Sequence, residues 1–101
     1  MTQVAVIHTA FEEKPSTVAF VDTPEGTLIE QLEYAYRWTQ NIMDSWSLKM
    51  SEDGNDAVTV MGDISSGRGL RSTSMGDQML IGNQKYVVAA FGFETLDGEP
   101  V

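Results

Sequence analysis

The residues most capable of chemistry lie between Gly67 and Ser74. There the order Gly-Arg-Gly-Leu-Arg-Ser-Thr-Ser sets two of the chain's six basic side chains, Arg68 and Arg71, among glycines and three hydroxyls. Glycine lets backbone amides approach a ligand, while guanidinium and hydroxyl groups donate hydrogen bonds. The run can therefore hold a phosphate or carboxylate through Arg68, Arg71, Ser72 and Ser74. It lacks both the Gly-Lys-Ser/Thr ending of a nucleotide loop and the Gly-x-Gly-x-x-Gly that opens a dinucleotide-binding helix. The competing reading is a polar loop whose arginines pair with nearby carboxylates such as Asp63 and Asp77. In Ser74-Met75-Gly76-Asp77 the aspartate reads as a turn residue accepting local amides.

A second set is acidic. Fifteen Asp and Glu against six Lys and Arg give a formal net charge of −9. Such a charge repels nucleic-acid phosphates and speeds association with a basic partner. Glu30 and Glu33 on a predicted helix, with Asp53 and Asp56 in the turn-rich run Glu52-Asp53-Gly54-Asn55-Asp56, are the candidate contact surface, where carboxylates would stand in for phosphates. Asp53, Asn55 and Asp56 offer oxygen ligands but lack the calcium-loop spacing and its closing Glu, so no metal or other cofactor is expected. His8, the single histidine, falls mid-strand far from any Ser or Asp of a triad, and reads as structural. There is no cysteine, which excludes disulfides, thiolate nucleophiles and cysteine-bound zinc. The chain reads as a non-enzymatic protein; the one enzymatic route left is chemistry by a pair of carboxylates.

These groups must be positioned by short elements. Val4, Val6 and His8 alternate with Ala5, Ile7 and Thr9, predicting a strand apolar on both faces and central in a sheet. Pro15 marks a turn, and Thr17 to Asp22 returns as its hairpin partner. Thr23-Pro24-Glu25 predicts a helix start, and Leu28, Leu32, Ala35, Thr39 and Ile42 form one stripe, giving a helix over about 24–41 with a Glu33–Arg37 ion pair on its outer side. Trp46, with Trp38, is expected to cover one end of the core. Ser47 to Met50 and Ala57 to Met61 predict a hairpin around the acidic loop, Gly62 to Gly69 a flexible segment, and Leu70 to Ser74 an extended one. Gln78 to Ile81 and Lys85 to Phe91 flank the turn Gly82-Asn83, and Gly92 interrupts the last strand so that Phe93 turns inward. The fold class is α+β, a small antiparallel sheet of about five to six strands with one main helix on one face. Residues 1–101 read as a single domain with a frayed tail over 97–101.

Three stretches carry a resemblance: Asn41-Ile42-x-x-Ser45-Trp46-Ser47, Arg71-Ser72-Thr73-Ser74-x-Gly76-Asp77, and Tyr86-x-Val88 with Gly92-Phe93-Glu94. From Asn41 onward the chain resembles a scattered group of short phage and plasmid proteins to which no activity is assigned. The resemblance implies a mobile-element setting, in which small acidic proteins inhibit host defence in the manner of anti-CRISPR and anti-restriction proteins. The expected partner is a host protein or protein–nucleic-acid complex with a basic surface; direct binding of nucleic acid is the alternative, through Arg68 to Ser74. A homodimer by pairing of the last strand across a two-fold axis is a further expectation. No basic leader or long apolar run is present, so the chain reads as soluble, cytoplasmic and without a membrane partner.

Overall fold

Valine-rich alternation makes β1 (Thr2–His8) the centre of the sheet, flanked on one side by β2 (Ser16–Thr23) and on the other by β4 (Gln78–Ile81). The structure, a computed structural model, describes residues 2–42, 45–50 and 54–101. Its other elements are α1 (Leu28–Arg37), β3 (Val58–Val60), β5 (Gln84–Val88) and β6 (Phe93–Thr95). Six antiparallel strands lie in the order β3-β2-β1-β4-β5-β6, with α1 packed on one face. Val4 faces Val21 and Ile81, and Val6 faces Ala19 and Met79, so one apolar set crosses the central strands. Val4, Val6, Met79 and, from the helix, Leu32 are fully buried, each side chain contributing roughly 1.5–3 kcal/mol by leaving water.

The pairing of β1 with β2 slips between Val6 and Ile7, where Ala19 and Thr17 are the successive partners. Val18 is the bulged residue. Its carbonyl accepts the amides of Met61 (2.7 Å) and Gly62 (3.2 Å), steering the chain away from the end of β3.

The helix is shorter than the expected 24–41. Thr23 ends β2, buried, with its hydroxyl donating to Thr2 O at 3.0 Å. Thr27 is the N-cap: its Oγ1 accepts from Glu30 N (3.2 Å), while Glu30 Oε1 accepts from Thr27 N (2.9 Å), a reciprocal capping box. Trp38 closes the helix. Beyond it Thr39 bonds back to Ala35 O at 2.8 Å and its carbonyl accepts from Thr73 N at 3.0 Å, so the chain leaves the helical path and Ile42 stays exposed. The expected Glu33–Arg37 pair does not form; the guanidinium lies 4.6 Å above the Trp38 ring instead.

Two further expectations are corrected. Ser47 to Met50 is no strand: the Ser47 hydroxyl accepts from Leu70 N at 2.7 Å and that of Ser45 from Leu48 N at 3.2 Å, which makes a turn of the segment. β3 pairs with β2, where Val58 meets Val21 and Val60 meets Ala19. Leu70 to Ser74 joins no strand; its backbone bonds to the segment after the helix. The tail is not frayed. Thr95 N donates to Glu99 O (2.9 Å) and Val101 N to Phe93 O (3.0 Å), so residues 99–101 lie along the outer edge of β6 and occupy the position a second copy would need for edge pairing.

Antiparallel order sends every connection to one of two ends. One end gathers residues 9–15, 61–77 and 89–92 with the end of the helix; the other gathers 24–27, 54–57, 82–83 and 96–99 with its start.

Candidate functional site

Arg71 is the hub of the first end. Its Nε donates to Glu12 Oε2 (3.1 Å), Nη1 to Asp77 Oδ2 (2.7 Å) and Ser72 O (2.9 Å), and Nη2 to Glu12 Oε1 (2.8 Å) and Asp77 Oδ1 (2.8 Å). A guanidinium has five N–H groups, and all five are engaged inside the protein. The Phe11 ring covers it at 4.9 Å. The pairing reading of this loop holds for Asp77 and not for Asp63, whose carboxylate accepts from Ser65 N. Glu12, the second partner, carries no local signal of its role.

Asp77 is fully buried. Besides Arg71 it accepts the amides of Thr9 (2.9 Å), Ala10 (3.0 Å) and Ser74 (2.8 Å). Burial is the largest single influence on this carboxyl and raises its pKa. The Arg71 bonds and the three amides together outweigh burial and hold it at about 2. Glu12 is held below the ordinary glutamate range by its bond to Arg71, and Arg71 is raised by Asp77 first and Glu12 second.

Behind this pair lies a buried chain of hydroxyls. Thr39 Oγ1 donates to Ala35 O, Thr73 Oγ1 donates to Thr39 Oγ1 (2.7 Å), and His8 Nε2 lies 3.0 Å from Thr73 Oγ1. Since the Thr73 proton is committed to Thr39, the imidazole must be the donor, which sets its proton on Nε2. Burial lowers the His8 pKa, with Asp77 pulling the other way at 3.9 Å. A neutral histidine beside a hydroxyl and a carboxylate has the composition of a nucleophilic triad. Thr73 is 1% exposed and His8 2%, however, so no substrate can reach either. The network is a lock.

The same lock fixes the rest of the loop. Asn41 Nδ2 donates to Leu70 O (3.0 Å), Asn41 N to Ser72 Oγ (2.8 Å), Gln40 Nε2 to Thr73 O (2.8 Å) and Trp46 Nε1 to Arg71 O (2.8 Å). The Ser74 hydroxyl donates inward to Ser72 O at 3.2 Å. Of the anion-binding set Arg68, Arg71, Ser72 and Ser74, the last three serve the fold. Arg68 is exposed and stands apart from them, its amide bonded to Ser66 Oγ. The loop offers no converged cradle for a phosphate.

The acidic candidates fall at or toward the other end. Glu25, Glu30 and Glu33 line a shallow groove of about 400 Å³ with Pro24, Tyr34 and Arg37. Asp56 is exposed near by, where Asn55 ties the loop to the helix by donating to Tyr34 Oη (2.9 Å) and accepting from Ala57 N. Asp53, the fourth predicted contact residue, lies outside the described residues. Glu30 is held below its ordinary pKa by the Thr27 amide and hydroxyl, so it stays ionised. Sequence reasoning missed Glu25 as a contact residue and Asp22, Asp97 and Glu99 as its neighbours, because only strand order brings them to one end. Among the described residues no three acidic or imidazole groups stand where they could share a metal ion, and no helix is long and apolar enough to cross a membrane.

Comparison with protein families, curated proteins and solved structures finds no match to this chain.

Proposed function

We propose that this chain is a non-enzymatic binding protein that engages a basic partner through the acidic end of its sheet. The observation that carries the reading is the uneven distribution of charge. Asp22, Glu25, Glu30, Asp56, Asp97 and Glu99 surround one end, with Glu33 along the adjoining groove. Apart from Arg37 at the far end of that groove, the bases there are Lys85 on the sheet and Lys49, whose ammonium donates to Val58 O within the fold. Charges that are not internally paired are available to a partner, and at low salt they steer it.

The sharper form of the proposal is an inhibitor of a host nucleic-acid-binding complex, of anti-CRISPR or anti-restriction type, in which these carboxylates take the place of phosphates. The mobile-element resemblance favours that setting. Direct reading of nucleic acid by Arg68 to Ser74 is less well supported, because Arg71 has no N–H left for a phosphate.

The test is capture from bacterial lysate on the immobilised protein at low and high salt, followed by competition. A nucleic-acid-binding protein released by salt is expected. Once purified, it should lose bound duplex DNA to the wild type, and about tenfold less readily to a Glu25→Lys, Glu33→Lys, Asp56→Lys variant. Binding that is insensitive to salt and to these reversals overturns the reading.

A further inference from the structure

Exposed apolar side chains gather at the end of the sheet opposite the acidic one. Phe11 is 75% exposed, Met75 62% and Phe91 97%. They lie on three neighbouring loops. Gly76 stands so close to Ala10 that a Cβ added to it would come within 3.2 Å of the alanine methyl, which sets Met75 beside the Phe11 loop. Gly76 N donates to Val88 O at 2.9 Å, so the same segment adjoins the β5–β6 hairpin with Phe91 at its tip. The frame is stiff: Asp77 holds the Phe11 loop through the amides of Thr9 and Ala10, and the Met75 turn through that of Ser74. The loops of Phe11 and Met75, ordered in this way, lose little freedom on contact, and exposed apolar groups rimmed by charge mark an interaction surface.

The charges around it identify the occupant. At this end, among the described residues, Glu12, Glu13, Asp63 and Asp77 stand against Lys14, Arg68 and Arg71, and Glu33 and Arg37 of the helix border it together, Glu33 beside Ala89, Ala90 and Gly92. Two copies of a chain carrying −9 repel each other when acidic ends meet, whereas at this end acidic and basic groups nearly cancel. Contact here leaves the acidic ends facing apart, in a molecule whose longest extent is 37 Å against a screening length of about 10 Å at 0.1 M salt. The rim also carries exposed charges of both signs, Glu13 beside Lys14 and Asp63 in the same loop as Arg68. A patch holding both members of a pair can satisfy itself across a two-fold axis. We propose that the protein forms a two-fold dimer through the Phe11, Met75 and Phe91 surface, presenting an acidic end at each pole.

Sedimentation velocity across a range of concentrations tests this. A monomer–dimer equilibrium is expected, retained as salt is raised, with Phe91→Glu and Met75→Glu each weakening it by about tenfold or more. Leu96→Glu, at an exposed apolar position of the acidic end, should leave it unchanged. Because Phe91 and Met75 are mostly exposed, both variants should retain the wild-type circular dichroism. A chain that stays monomeric to millimolar concentration overturns the proposal, as does a dimer that Leu96→Glu dissociates and Phe91→Glu does not. The salt response separates this contact from acidic-end binding, which salt should abolish.

Discussion

The two ends of the sheet treat charge in opposite ways. At the Arg71 end a guanidinium and two carboxylates neutralise one another through hydrogen bonds, and the fold closes around them. At the other end carboxylates stand in water with few bases near them. A charge enclosed by partners specifies structure, since it cannot be withdrawn without stranding its neighbours; a charge left in solvent costs the fold little and remains available for binding. The difference assigns architecture to the Arg71 run, which read as a ligand loop, and leaves the acidic surface, read from the start as the candidate contact surface, as the one proposed for recognition.

The sharpest way to break this contrast is to remove Asp77. Asp77→Ala withdraws a fully buried carboxylate and leaves two N–H groups of Arg71 and three amides without an acceptor. The expected loss is about 3–5 kcal/mol in urea denaturation. A loss below about 1 kcal/mol would mean that this end is no more structural than the other.

Titration tests the same asymmetry. The Asp77 carboxyl has its pKa lowered to about 2 from an ordinary 3.8, so the native state binds its proton less readily than the unfolded chain. Its contribution, on the order of 2 kcal/mol, is complete above the unfolded pKa and disappears as pH falls through the native value. The stability gap between wild type and Asp77→Asn should narrow steadily from about pH 5 to pH 2. A gap that is constant over that range would show that the carboxylate's charge is not what the fold uses.

Gly69 refines the picture of how the loop is held. Its φ is +75°, and a Cβ there would approach Ser45 Oγ to 2.6 Å and Ser47 Oγ to 3.0 Å. Gly69→Ala should cost about 1–3 kcal/mol from backbone conformation and crowding together, seen as a lowered Tm. Gly67, with a similar φ of +78° but open space around it, should cost less. Equal effects at the two positions would mean that contact with the serines plays no part.

How much of this could be read in advance depends on sequence distance. β1, β2, β4 and the Gly82-Asn83 turn were legible because alternation and turn chemistry act within a few residues. So was Asp77 as an acceptor of local amides, since Ser74 lies three residues away. The helix start was misplaced because Thr23 and Thr27 both suit a cap; the discriminating signal was the spacing from Thr27 to Glu30, which completes a capping box. Arg71 and Glu12 are 59 residues apart and His8 and Thr73 are 65 apart, so no window contains either pair. The two stretches around Trp46 and Arg71 were each conspicuous. That they bond to each other follows from the fold alone.

The smallest expected effect bears on the other side of the comparison. Glu33 is exposed on the helix, takes no part in the capping box and, with Arg37 stacked on Trp38, lacks the ion pair that its spacing allows. Glu33→Lys should therefore change unfolding free energy by no more than about 0.5 kcal/mol. Glu30→Lys, three residues earlier on the helix, removes the carboxylate that accepts from Thr27 N and should cost about 0.5–2 kcal/mol. If Glu33→Lys destabilises as much as Glu30→Lys, the acidic end carries structural load and the contrast between the two ends fails. If it is neutral in denaturation while weakening capture of a basic partner, stability and recognition are separated on adjacent turns of one helix.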